Sequence, residues 1–114
     1  MPVKYIQYKG KTILYVDFRN LTGDEGMAVL DDEAKAMQTW TKPGLILSDF
    51  RNSKGSTEFM SHAKKLGKEV FAPMTHKAAA IGISGIQSIL LHAYNAFSKD
   101  KLVPFATEEE AKSG

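Results

Sequence analysis

The sequence predicts an α/β protein with the order β-β-α-β-α-β-α-β-α and a mixed, mostly parallel sheet. Three observations carry this. The stretch from Gly44 to Val70 passes from a short apolar run, Leu45-Ile46-Leu47, through a polar loop containing Gly55, into a segment where Phe59, Ala63, Leu66 and Val70 recur at helical spacing. A run of that kind after Pro43-Gly44 suits a strand buried on both faces. The flanking residues repeat the scheme of strand, loop and helix. The chain also opens with two arms rich in β-branched and aromatic residues, Val3 to Tyr8 and Thr12 to Phe18, around Lys9-Gly10-Lys11, which is the pattern of an antiparallel hairpin. Every strand after that hairpin is followed by a helix, so right-handed crossovers make the later pairings parallel.

Within the hairpin, the first arm carries Lys4 and Gln7 and is expected at an edge, whereas Ile13 to Val16 is apolar on both faces and more central. Thr22-x-x-Glu25 has the form of a capping box and opens a helix from about Asp24 to Trp40. Met27, Leu30, Ala34 and Met37 form its buried stripe, with Asp31, Asp32, Glu33 and Lys35 largely outside it. Thr41-Lys42-Pro43-Gly44 ends that helix. After the Gly44–Val70 unit, Phe71 to His76 reads as a connector broken by Pro73. Ala78 to Ile83 is then a further buried strand. Ser84-x-x-Gln87 caps a helix bearing Ile86, Ile89, Leu90, Ala93 and Phe97 on one face. Leu102 to Phe105 forms a last strand, placed at an edge by Pro104, and Thr107-x-x-Glu110 opens a terminal helix.

The chain has 114 residues and no composition shift along it, so residues 1–114 are expected to form a single domain. Its formal charge is +2, and Lys64-Lys65 and Lys99-Asp100-Lys101 are too sparse for a nucleic-acid stripe. Cysteine is absent, which excludes disulfides and thiolate catalysis. No apolar run approaches the length of a membrane span and no signal core opens the chain. The expectation is a cytoplasmic protein that neither binds nucleic acid nor inserts into a membrane.

One short repeat stands out. Asp17-Phe18-Arg19-Asn20 recurs as Asp49-Phe50-Arg51-Asn52, each copy ending a strand ahead of a glycine-containing loop. If the two strands are parallel neighbours, both loops emerge at the carboxyl edge of the sheet, where open α/β sheets place ligands. Asp17, Arg19, Asp49 and Ser84 then form a candidate polar rim, with Arg51 beside them. Two carboxylates can hold a divalent cation, and guanidinium groups with helix amides can hold phosphate. The simpler reading is that each Asp accepts bonds from its loop amides and is neutralised by its own Arg.

Other chemistry is thin. His62, His76 and His92 lie in separate segments without metal-ligand spacing, and Gly82-Ile83-Ser84-Gly85 completes neither a nucleophile elbow nor a phosphate loop. No nucleophile is paired with a base. The expectation is a non-enzymatic chain with no metal and no cofactor. Leu91 and Tyr94, off the main stripe of their helix, and Trp40 are candidates for a homodimer contact.

Gly10 to Asp17, Leu45 to Asp49, Ala79 to Gly85 and Pro104 to Ala111, taken together, resemble the STAS-like domains of bacterial proteins related to the sporulation anti-sigma factor antagonist. The resemblance implies a sheet with helices packed largely on one face, and a regulatory protein-interaction module whose partner is a regulatory kinase or an anti-sigma factor. In that family a serine at the start of the helix after the third strand is phosphorylated. The corresponding stretch is Arg51-Asn52-Ser53-Lys54-Gly55-Ser56, which lacks the family's Asp-Ser-Ser-Gly signature; with Thr57 beside it on the loop edge, Arg51, Ser53, Ser56 and Thr57 are the candidate modification or contact residues. The general layout is also similar to lipid-binding CRAL-TRIO domains. That implies an alternative, a small apolar or lipid-like ligand lined by Phe59, Met60, Phe71, Met74 and Phe97.

Overall fold

The computed structural model describes residues 2–83 and 95, together with the backbone of 102–105. The described strands are β1 (Val3–Tyr8), β2 (Lys11–Asp17), β3 (Gly44–Asp49), β4 (Thr75–Ile81) and β5 (Leu102–Phe105). They form one sheet in the order β1-β2-β3-β4-β5. β1 and β2 are antiparallel, and every later pairing is parallel. Lys9 and Gly10 both have positive φ, as a two-residue turn between twisted strands requires. β5 lies at the edge opposite β1, with Pro104 beside Ala80. The expected helices after Ser84 and after Thr107 lie outside the described residues, as do Leu91, Tyr94 and Phe97.

Helix α1 (Gly23–Met37) begins with the capping box expected of Thr22 and Glu25: the Thr22 hydroxyl accepts from the Glu25 amide, and the Glu25 carboxylate accepts from the Thr22 amide. It ends at Met37, three residues short of Trp40. Its buried face is rotated from the expected stripe. Val29 and Glu33 are buried beside Leu30, Ala34 and Met37, whereas Met27 is half-buried. The apolar spacing had left Glu33 outside because a charged side chain carries no weight in that pattern.

Helix α2 (Thr57–Leu66) is capped by Ser56, whose hydroxyl accepts from the Phe59 amide at 3.0 Å. Residues Phe71 to His76 correct the expected connector. The helix widens into a π turn over Gly67–Phe71, in which the Ala72 amide reaches the Gly67 carbonyl, and continues as one more turn over Ala72–Met74. Pro73 is tolerated because the widened turn relieves its ring of the close carbonyl four residues back. The Thr75 hydroxyl then donates to the Phe71 carbonyl at 2.6 Å, and the chain turns into β4. That strand begins at Thr75 and ends at Ile81, not at Ala78 and Ile83. Its exposed opening pair, His76 and Lys77, hid its start from a reading based on apolar runs.

The sheet is buried on both faces, and the alternation is legible strand by strand. Leu14, Val16, Ile46 and Ala78 point to the side covered by α1 and α2, where they meet Val29, Leu30, Met37, Phe59, Ala63 and Phe71. Ile13, Tyr15, Leu47 and Ile81 form a second buried layer on the opposite face. Full burial of a side chain such as Leu14 or Phe18 contributes about 1.5–3 kcal/mol. The side chains of Phe59 and Phe71, expected alternatively as ligand-lining residues, fill the first layer, and Met60 and Met74 pack at its margin. No helix among the described residues is long and apolar enough to cross a membrane.

Candidate functional site

The two copies of the repeated tetrapeptide lie side by side. Asp17 is the register partner of Asp49 at the carboxyl ends of the parallel strands β2 and β3. The backbone then continues in step: the Phe18 amide donates to the Asp49 carbonyl at 2.9 Å, and the Asn20 amide to the Arg51 carbonyl at 3.2 Å. Asn20 and Asn52 both adopt left-handed backbone, with φ of 62° and 56°. Asparagine tolerates that conformation better than other residues with a side chain.

Like meets like across the two copies. The Phe18 and Phe50 rings stack with centroids 4.6 Å apart and planes 6° from parallel. Phe59 of α2 closes edge-on against both. The Asn52 amide donates to the Asn20 side-chain oxygen at 2.7 Å. Inside each copy the arginine turns back on its own aspartate. Arg19 donates through its backbone amide, Nε and Nη2 to Asp17 at 2.9–3.0 Å. Arg51 does the same to Asp49.

The two carboxylates differ in their surroundings. The Asp49 side chain is fully buried, whereas that of Asp17 is 28% exposed. Asp49 also accepts the Tyr15 hydroxyl at 2.5 Å, and the Arg19 guanidinium stands 3.8 Å away. Burial pushes the Asp49 carboxyl up, but the bonds from Arg51 and Tyr15 outweigh it and hold the group below its usual value. The Arg19 side chain is the main cause of the lowered Asp17 carboxyl. Burial first, and then Asp49, push the Tyr15 hydroxyl well above its usual range, so it stays a donor. Every carboxylate oxygen of this pair is therefore engaged by the chain itself. Among the described residues no three histidine or acidic side chains gather as a metal site.

The third strand end closes the rim from the other side. The Phe50 amide donates to the Ile81 carbonyl at 2.8 Å. Gly82 follows with φ of 80°, and a Cβ there would come within 2.6–2.7 Å of the Arg51 backbone. Only glycine satisfies both the conformation and the close approach. Ser84 lies outside the described residues.

The loop after Asn52 carries the other candidates. Lys54 is tied by its amide to the Leu21 carbonyl at 2.9 Å. Ser53 is half-buried. Ser56 is half-buried as the cap of α2, against the start of α1, where a Cβ on Gly23 would lie 2.3 Å from its hydroxyl oxygen. Thr57 is exposed and donates to Glu58. Arg51 is half exposed despite its bonds. Arg19, Asp17, Asp49 and Arg51 are thus one cluster, with Ser53, Ser56 and Thr57 on the loop beyond it. Sequence reading missed Tyr15 and the pairing of the two asparagines. A lone tyrosine inside an otherwise aliphatic strand, two residues ahead of the first tetrapeptide, was the available signal.

No family model matches the sequence, and no curated protein matches it. The fold is similar to the crystal structure of an uncharacterized protein of the DUF3478 family with a SpoIIAA-like fold from Shewanella loihica PV-4. The TM-score is 0.72 and the identity 18%, over 97% of this chain and 90% of that one. With that likeness over nearly the whole chain, and a sheet whose helices α1 and α2 share one face, the chain has the SpoIIAA-like, STAS-like fold.

Proposed function

We propose that this chain is a cytoplasmic, non-enzymatic regulatory module that binds another protein through the loop edge from Arg51 to Thr57. One observation supports this reading above the others. The charges at the strand ends neutralise each other inside each tetrapeptide, so the polar residues of the rim shape and stiffen a surface and leave no carboxylate poised for proton transfer. Arg51, Asn52, Lys54 and Thr57 are exposed on that surface. The fold adds a second line of support, because the resemblance to the sporulation anti-sigma factor antagonist implies a regulatory kinase or anti-sigma factor as the partner. Under this reading a phosphate on Ser53 or Ser56 alters the contact. At Ser56 it meets the positive end of α2.

The test is a photo-crosslinking residue at Asn52 or Lys54, compared with one at Lys42 before the opposite end of β3, in the native cells. A discrete protein adduct from the rim positions alone is the expected result. Equal labelling from all three, or none from the rim, overturns the proposal. Native mass spectrometry of the purified chain supplies the second arm: one retained apolar molecule per chain moves the assignment to a small-ligand binder.

A further inference from the structure

Among the described residues, the outer edge of the first strand is open. A two-residue turn makes Tyr8 and Lys11 a hydrogen-bonded pair, so bonded and non-bonded pairs alternate back along the hairpin. Ile6–Ile13 and Lys4–Tyr15 are therefore bonded pairs, and the bond from the Asp17 amide to the Pro2 carbonyl at 2.7 Å continues the series. Val3, Tyr5 and Gln7 fall in the non-bonded pairs, so their backbone N–H and C=O groups point away from β2. Among the described residues nothing pairs with them. Among the described residues Tyr5 is also the large apolar side chain left most open, at 52% exposure, although its hydroxyl accepts the Trp40 indole N–H at 2.7 Å.

Exposed edges are usually guarded by lysines reaching across them. Here both candidates are drawn back over the chain's own tyrosines. The Lys4 ammonium lies 5.4 Å from the Tyr15 ring centroid, and that of Lys9 lies 5.3 Å from the Tyr8 centroid. Among the described residues no lysine reaches across the edge.

We propose that β1 pairs with β1 of a second copy of this chain, antiparallel about a two-fold axis through Tyr5. This register brings Val3 opposite Gln7 of the partner subunit and Tyr5 opposite its own counterpart, so every outward-pointing group on both strands finds a partner. Two-fold axes through Val3, Lys4, Ile6 or Gln7 carry some of those groups past the end of the partner's strand, and an axis between two residues sets outward groups opposite groups that already face β2. Charge is compatible as well. Lys4 is the one charged residue in β1 and lies opposite Ile6 of the partner subunit, so no like charges face each other directly. The Tyr5–Trp40 pairs of the two copies, with ring centroids 6.5 Å apart in each, come together at the axis as an aromatic cluster. A single strand pairing is a small interface, so the dimer is concentration-dependent. The proposal is independent of the rim reading, since the Arg51 to Thr57 loop follows β3, two strands in from the outer edge of β1.

Sedimentation across a concentration series, with amide exchange on the same samples, tests it. The wild-type chain is expected to dimerise, with Val3, Tyr5 and Gln7 amides gaining protection as concentration rises while Lys4 and Ile6 stay unchanged. Tyr5→Lys sets two ammonium groups on the axis and is expected to weaken association by at least about tenfold. Mixing Tyr5→Lys with Tyr5→Glu restores a heterodimer, which also establishes that both variants are folded. A monomer at every concentration, a dimer unaffected by Tyr5→Lys, or protection elsewhere on the surface overturns the proposal.

Discussion

Asp17-Phe18-Arg19-Asn20 and Asp49-Phe50-Arg51-Asn52 have the same residues, the same arginine-to-aspartate bonds and the same left-handed asparagine, yet they occupy different environments. Asp49 ends β3, the middle one of the five described strands, and is flanked on both sides by strand ends. Asp17 ends β2, whose other neighbour is the edge strand β1. Local sequence sets the shape of each turn. The position in the sheet sets how much that turn is worth. One carboxylate is shut away with a tyrosine and an arginine, and the other remains partly in water, where ion pairs contribute little.

The largest effect expected from this contrast is in the aspartates themselves. Asp49→Ala leaves the Tyr15 hydroxyl without its acceptor and removes the bonds from Arg51, so chemical denaturation should report a loss of about 2–4 kcal/mol. Asp17→Ala should cost about 0.5–1 kcal/mol in the same measurement. Equal losses would show that the strand ends are energetically alike and that burial does not separate them.

Next in size is Tyr15→Phe, which removes the hydroxyl and keeps the ring. A loss of about 1–2 kcal/mol is expected, and it should nearly vanish in an Asp49→Ala background, because the two groups share one bond. Additive losses would separate Tyr15 from the carboxylate.

The acid limb of the stability curve gives a third test. Both carboxyls are held below their usual values in the folded chain, so the charged forms favour folding. That contribution is complete above the ordinary carboxylate range and is lost as pH falls through the lowered folded values. Asp17→Asn and Asp49→Asn should each make the fall in unfolding free energy below that range shallower, and the double variant shallower still. An unchanged acid limb in both would remove these two groups from the account.

The smallest effects should also be the most equal. Asn20→Ala and Asn52→Ala each lose one end of the same bond and each put a residue without asparagine's local polar side chain into left-handed backbone, at about 1 kcal/mol apiece. A large inequality here would break the equivalence of the two turns.

Much of this was legible in the residues. The hairpin, the Thr22 capping box, the βα order and the shared rim all rest on local chemistry that a sequence displays: turn residues, caps and apolar runs. The repeated tetrapeptide placed Asp17 and Asp49 together once parallel strands were accepted. What stayed hidden depends on three-dimensional neighbours. Tyr15 reaches Asp49 diagonally on the neighbouring strand, 34 positions away in the chain. The burial of Glu33 follows from how α1 rolls on the sheet. The π turn before Pro73 records an accommodation between a proline and a helix that keeps going, and propensities alone place a break there.

The stack of Phe18 on Phe50, wedged by Phe59, joins the polar turns to the interior. Sliding either turn shears the ring stack, and shearing it disturbs the seating of α2. An event at the loop surface is therefore transmitted as a change in the cohesion of the whole body, and a heat-capacity trace should register it as readily as a local probe.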